Sequence, residues 1–186
     1  MDSIISPNFS DLNAELKEKL KKVKLFLCDV DGVLTDGTVL KGDGMELKRF
    51  HIRDGLGLRL LIENGIRVGW ISNRPSSATT ARAKELGIDF LVQEQGNKIQ
   101  FAEKILHQTG FAWDDVCYTG DDIIDMGMLR KAALAVTVQD AHPLVKNLCH
   151  YTTSKNGGQG AIREISELIL QAQDKWENLE ILKRGL

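Results

Sequence analysis

Val23-Lys-Leu-Phe-Leu-Cys-Asp-Val-Asp-Gly-Val-Leu-Thr-Asp-Gly37 is the stretch on which the reading of the whole chain turns. Val23 to Cys28 is apolar except for Lys24, the composition of a strand buried on both faces of a parallel sheet, and it stops abruptly at Asp29. Asp29 and Asp31 lie two apart, so extended backbone would point both carboxylates to one face, while Gly32 and Gly37 supply permissive backbone for a turn. Acids at the end of a central strand are what an open α/β sheet presents at its active site. A solvated loop can account for one such Asp. Asp-x-Asp-Gly-x-x-x-Asp behind a buried strand predicts a functional site.

Working outward, helix and strand signals alternate. Upstream, Ser10-Asp11 offers a cap and Leu12, Leu16, Leu20 and Val23 form a stripe, predicting a short amphipathic helix. Downstream, Thr38 to Phe50 reads as two short strands around Gly42-Asp43-Gly44, a hairpin. Asp54 to Gly65 reads as a capped helix ended by glycine, and Ile66 to Ile71 as the next strand. Alternation continues through Ser76 to Leu86, Ile88 to Val92, Lys98 to Gln108, Val116 to Thr119, Ile123 to Lys131, Leu134 to Val138 and Pro143 to Asn147. A glycine-rich tail, Asn156 to Gly160, precedes a closing helix expected from Ala161 to about Leu182. The pattern predicts one α/β domain over residues 1–186, a doubly wound parallel sheet with helices on both faces and a small hairpin flap.

Composition narrows the function. With 24 basic and 26 acidic residues the formal charge is -2, and the basic residues are scattered, which argues against nucleic acid or an anionic membrane as partner. No apolar run approaches membrane-spanning length and the first residues lack the blocks of a signal peptide, so a cytoplasmic location is expected. Cys28, Cys117 and Cys149 lie in or beside strand-like runs without metal-type pairing and are expected to be reduced.

Asp29-Val-Asp-Gly-Val-Leu-Thr-Asp36 resembles the first motif of the haloacid dehalogenase-like phosphatases, and three further segments match the later motifs in order. Ser72 in Ile71-Ser-Asn-Arg74 matches the second, Lys98 in Gln95-Gly-Asn-Lys98 the third, and Tyr118-Thr-Gly-Asp-Asp-Ile-Ile-Asp125 the fourth. The resemblance implies Asp29 as nucleophile, Asp31 as general acid and base, and Ser72 and Lys98 acting on phosphoryl charge. It further implies a magnesium ion on Asp29, Asp31 and Asp121, supported by Asp122 or Asp125. Oxygen donors suit that ion. A receiver domain of a signalling relay shares the small doubly wound fold, but its acidic pair ends the first strand and its phosphorylated Asp the third, whereas Ile88 to Val92 here ends in Gln93. A phosphatase-like assembly module without catalysis is the other alternative, and the intact acids argue against it.

Only the hairpin separates Asp36 from the following helix, and one helix and one strand fill Ser72 to Lys98, leaving no room for the cap domain by which this superfamily usually selects substrates. Together with Lys48-Arg-Phe-His-Ile-Arg-Asp-Gly55 and Gly157-Gly-Gln-Gly-Ala-Ile-Arg-Glu164, the motifs closely resemble the 3-deoxy-manno-octulosonate 8-phosphate phosphatases of lipopolysaccharide sugar synthesis. That resemblance implies a homotetramer whose hairpin and tail help cover a neighbouring subunit's site. It implies a small phosphorylated sugar acid as substrate, with Thr35, Arg53, Asn73, Arg74 and Arg163 as candidate contacts. Related enzymes take nine-carbon sugar acid 9-phosphates, which stands as the alternative substrate. The glycines Gly157, Gly158 and Gly160 predict a flexible tail.

Overall fold

The computed structural model describes residues 9–177 and 179. Among the described residues eight strands and seven α-helices follow one another, and six of the strands form one all-parallel sheet. In chain order they are α1 (Ala14–Lys22), β1 (Leu25–Cys28), β2 (Leu40–Gly42), β3 (Met45–Leu47), α2 (Ile52–Glu63), β4 (Arg67–Ser72), α3 (Ser77–Leu86) and β5 (Phe90–Gln93). There follow α4 (Lys98–Thr109), β6 (Val116–Thr119), α5 (Met126–Lys131), β7 (Leu134–Thr137), α6 (Pro143–Lys146), β8 (Tyr151–Thr152) and α7 (Ala161–Ala172). The sheet runs β5-β4-β1-β6-β7-β8. The chain winds outward from β1 in one direction, then returns and winds the other way, so the order reverses beside β1. Ligands of such sheets bind outside the strand carboxyl ends at that reversal.

Burial explains why β1 is central. All four of its residues are fully buried, with β4 on one side and β6 on the other. Helices α1 and α2 each pack on α7, α3 against α2, and α4 against α5. Helix α7 carries the clearest stripe, with Ile162, Ile165, Leu168 and Ile169 all buried.

Several boundaries fall where the sequence did not put them. The cap of α1 is Asn13, whose side chain accepts from Leu16 N at 2.8 Å; Ser10 and Asp11 lie in a preceding 3-10 turn. Asp54 caps no helix of its own. It is buried inside α2, capped at His51, and its carboxylate accepts from Gly160 N at 3.2 Å and Arg163 N at 2.8 Å, so it caps α7 from a neighbouring element. Burial pushes this carboxyl above its usual range, against the pull of those two amides. The closing helix ends at Ala172, two residues before Asp174 turns into left-handed backbone, and residues 178 and 180–182 of the expected span lie outside the described residues.

The hairpin is β2 and β3, paired Leu40 to Leu47, Lys41 to Glu46 and Gly42 to Met45. Its two-residue turn, Asp43-Gly44, has φ of 47° and 76°, the left-handed pair that matches strand twist. The glycine-rich tail, expected to be flexible, is instead packed on its own chain. A Cβ on Gly157 would stand 1.8 Å from Gly32 O, and Gly158 N donates to Val33 O at 2.9 Å. Glycine serves close backbone approach here rather than freedom. Cys28 and Cys117 are buried, Cys149 is half-buried, and all three are free thiols.

Candidate active site

The carboxyl edge of the sheet assembles the acids from two adjacent strands. Asp29 N donates to Thr119 O at 2.9 Å, which carries the β1–β6 ladder one residue beyond the strand and fixes where the Asp29 carboxylate starts. Asp121 and Asp125 follow β6 around a 3-10 turn, Ile123–Asp125. One carboxylate oxygen from each of Asp29, Asp121 and Asp125 lies within 4.8 Å of the others. Gly32 makes the approach possible, since a Cβ there would meet Asp121 Oδ2 at 2.1 Å and its φ of +91° is left-handed.

Lys98, the first residue of α4, reaches into this group. Its Nζ lies 3.0 Å from Asp29 Oδ2 and 2.8 Å from Asp125 Oδ1, with all three side chains at most 8% exposed. Burial pulls the ammonium down, but the Asp29 and Asp125 carboxylates outweigh it and hold Lys98 above its ordinary value. Asp125 is the best anchored acid. It also accepts from Tyr118 Oη at 2.6 Å and from the amides of Asp121 and Asp122 at 3.2 and 3.4 Å. Burial and the adjacent carboxylates keep Tyr118 neutral as a donor.

Three acids against one lysine leave negative charge uncompensated. Burial pushes Asp29 up to about 6, with Lys98 opposing and Asp125 adding to the rise. Burial, then the charges of Asp29 and Asp125, push Asp121 to about 7. Asp121 Oδ1 is buried with no hydrogen-bond partner. An all-oxygen donor set with surplus negative charge and an unpaired inward oxygen fits a hard divalent cation such as magnesium.

The remaining expected residues are placed as follows. The Asp31 carboxylate stands apart from the cluster and is ion-paired to Lys48, 2.7 Å from Oδ1. Asp122 is exposed, and its side chain caps the 3-10 turn through Ile123 N at 2.7 Å rather than joining the cluster. Ser72 ends β4, and its buried Oγ accepts from Arg74 N at 3.1 Å. Thr35 is buried, its hydroxyl accepting from the amides of Gly32 and Gly37 at 3.4 and 3.3 Å, so it shapes the loop after Asp29. Asn73 Nδ2 donates to Gly96 O at 3.3 Å, and its Oδ1 is buried without a partner. Arg74 pairs with Glu46 of the hairpin and keeps Nη1 without a partner.

Arg53 and Arg163 are elsewhere. They share a concavity of about 430 Å³ with Lys155, Gln159 and Glu167, which no acid of the cluster lines. Arg163 pairs with Glu167 on its own helix and lies 5.4 Å over the Trp176 ring, so within one chain its guanidinium is engaged there and not on the acids of the cluster. Sequence reasoning gave no role to Lys48 or Tyr118. The signal for Lys48 was present, since it follows β3 two residues after Glu46, where extended backbone would point both side chains to one face, and these two meet Arg74 and Asp31.

Sheet order, strand-end acids and their lysine define a haloacid dehalogenase-like hydrolase, and the model of that family matches residues 89–165. More narrowly, the 3-deoxy-D-manno-octulosonate 8-phosphate phosphatase of Yersinia pestis is 42% identical over 161 residues, 86% of this chain and 86% of its own. That of Escherichia coli K12 is 39% identical over 168 residues, 90% of this chain and 89% of its own. The Moraxella catarrhalis phosphatase of the same name, crystallised with magnesium, phosphate and the KDO molecule, superposes with a TM-score of 0.88 at 36% identity, covering 92% of this chain and 98% of its own. The chain belongs to the 3-deoxy-D-manno-octulosonate 8-phosphate phosphatase family.

Proposed function

We infer that this protein is a magnesium-dependent phosphomonoesterase that hydrolyses 3-deoxy-D-manno-octulosonate 8-phosphate to the free sugar acid and phosphate through an aspartyl-phosphate. The observation that carries the reaction is the convergence of Asp29, Asp121 and Asp125 around Lys98 at the reversal point of the sheet. The substrate rests on the relatives, above all the structure that holds magnesium, phosphate and KDO together.

Magnesium held by Asp121, with Asp29 and Asp125, would neutralise charge on the attacking carboxylate and the phosphoryl oxygens. Asp29 attacks phosphorus and the bond to the sugar oxygen breaks, while Asp31 gives that oxygen its proton. Asp31 then takes a proton from water as the water attacks the aspartyl-phosphate, releasing phosphate and restoring Asp29. Lys98 supplies a fixed positive charge beside Asp29, and Asp125, held by Tyr118 and two amides, keeps Lys98 there. The Ser72 hydroxyl donates to a phosphoryl oxygen. Arg74 Nη1 and Asn73 Oδ1, both without partners, are available to the sugar acid.

The reading includes a homotetramer with shared sites. Val39, Leu40, Met45 and Leu47 on the hairpin and Ile52 just after it are 40 to 75% exposed, an apolar patch that a neighbouring copy would cover. Arg53 and Arg163, remote from Asp29 in one chain, would then reach a neighbour's substrate. A cytoplasmic setting belongs to the same proposal. Separately, no described helix is long and apolar enough to cross a membrane.

Specificity constants across phosphorylated acidic and neutral sugars test the substrate. The eight-carbon acid 8-phosphate should lead. Equal or faster turnover of a nine-carbon acid 9-phosphate would move the protein to that neighbouring specificity, and no hydrolysis of any ester with magnesium bound would favour the assembly module.

A further inference from the structure

We infer that Lys48 is the positioning residue for Asp31, so that the hairpin reaches into the proton transfer. The inference rests on Asp31 being the general acid and base. Lys48 Nζ donates to Asp31 Oδ2 at 2.9 Å and lies 2.7 Å from Oδ1, an ion-pair contact on an oxygen that has no hydrogen-bond donor, so one ammonium faces the whole carboxylate. Its side chain is fully buried, whereas that of Asp31 is 22% exposed. Lysine normally keeps its charged end in water and is buried only against a partner. Among the described residues Asp31 is the one ion-pair partner that Lys48 has.

The neighbouring acids are held differently. Asp29 accepts from Val30 N, Asp36 from Thr38 N, and Asp125 from two amides, so the backbone orients each of them. Asp31 accepts no backbone amide among the described residues, and Lys48 is all that orients it. The hairpin does not need this pair as a tether, because Glu46 already meets Arg74 and Arg49 meets Asp36. A third clasp that drives a lysine out of water onto an acid with no other support is placed for the chemistry of that acid. The Lys48 side chain is buried within the single chain and needs no neighbouring copy to meet Asp31.

The test uses the full chain with magnesium and compares Lys48→Met with Asp31→Asn on two esters. The sugar acid phosphate has an alkoxide leaving group that must be protonated, whereas p-nitrophenyl phosphate releases a phenolate that leaves without a proton. Lys48→Met should lower kcat on the sugar ester by about 10- to 100-fold with KM little changed, less than the roughly 100- to 10,000-fold of a whole acid and base. On the aryl ester it should release the first equivalent of nitrophenolate at nearly the wild-type rate and then turn over slowly, because breakdown of the aspartyl-phosphate still needs Asp31. Lys48→Gln, which keeps one donor to Asp31, should fall between and serves if the Met variant fails to fold. An equal loss in the first turnover of both esters, or no loss on the sugar ester, overturns the inference. Full turnover by Asp31→Asn would instead remove the acid and base reading beneath it, a separate outcome.

Discussion

The carboxyl edge of the sheet and the hairpin are both stitched by ion pairs, yet they stand at opposite ends of burial. At the edge, Lys98 sits between Asp29 and Asp125 with none of the three more than 8% exposed, and each begins from a buried strand end or a helix start. On the hairpin, Arg49 holds Asp36 while 74% exposed, and Leu40, Met45 and Leu47 are more than half exposed with nothing of their own chain over them. The groups proposed to react are thus built where the core dictates position, and those proposed to select substrate and partners are hung outside it. Lys48 is the exception, a hairpin residue as buried as the edge itself.

The comparison breaks first at Asp29. Asp29→Asn removes the proposed nucleophile while keeping the shape of the side chain, so turnover should fall on the order of 10,000-fold or more, as losses of nucleophiles do. Phosphate release and trapping of labelled phosphoenzyme measure it. A variant that keeps its activity would mean that the edge is not the reacting centre. Next is Lys98→Met, which leaves two buried carboxylates without their cation and should cost about 3 to 5 kcal/mol of unfolding free energy. Denaturant titration at neutral pH reads it, and a change under 1 kcal/mol, small by the same scale, would show that the edge is no more rigidly paired than the arm.

The same contrast decides what could be read from the chain. The sheet and the acids were legible because a parallel sheet writes itself as apolar runs, and β1, β4, β6 and β7 each end where a polar residue takes over. The hairpin was legible from Asp43-Gly44, and its exposed apolar residues from their having only a short partner strand. What stayed hidden depends on long-range contact. Asp54 looked like the cap of α2 because a cap is judged from its neighbours in sequence, while its true partners, Gly160 and Arg163, are brought in by packing of α7 on α2. Gly157 looked like freedom because the carbonyl it accommodates, that of Gly32, lies on a distant part of the chain. The ion pair of Asp31 with Lys48 was hidden for the same reason, since the two residues are 17 apart in sequence and meet only when the hairpin folds back over the loop after β1.

Magnesium binding should change the stability of the sheet edge by a smaller amount. In metal-free protein Asp29 and Asp121 are pushed up to about 6 and about 7, above the ~3.9 of an unfolded Asp. The folded state therefore holds more protons than the unfolded chain between about pH 4 and 7. The stabilisation this gives is full below ~4 and is lost as pH rises through those raised values. Magnesium replaces the missing protons, so at pH 8 a hundredfold excess over Kd should add about 2.7 kcal/mol, and at pH 5, where protons compete for the same oxygens, clearly less. Calorimetric Tm at the two pH values, with magnesium and with chelator, reads the difference. An equal magnesium shift at both would mean that the ion sits away from these acids.

The smallest effect on the folding of a single chain is expected on the hairpin, and that is what makes it informative. Leu40 and Leu47 face each other across the two strands at 53 and 60% exposure. Replacing both with serine removes side chains that touch little of their own chain, so the isolated subunit should lose no more than about 0.5 kcal/mol per site, as for ordinary surface positions. If the arm packs on other copies, the same pair is interior to an interface and its loss should dissociate the assembly. Sedimentation would then show a smaller species, and turnover would fall with it, because Arg53 and Arg163 would no longer reach a neighbour's substrate. Mixing Asp29→Asn with Arg163→Glu subunits after exchange separates the two consequences. A tail acting across the interface should restore activity in assemblies that pair an intact Asp29 with an intact Arg163. A serine variant that stays assembled would remove the hairpin from the interface, and one that becomes a fully active monomer would remove the shared site while leaving the chemistry at Asp29 untouched.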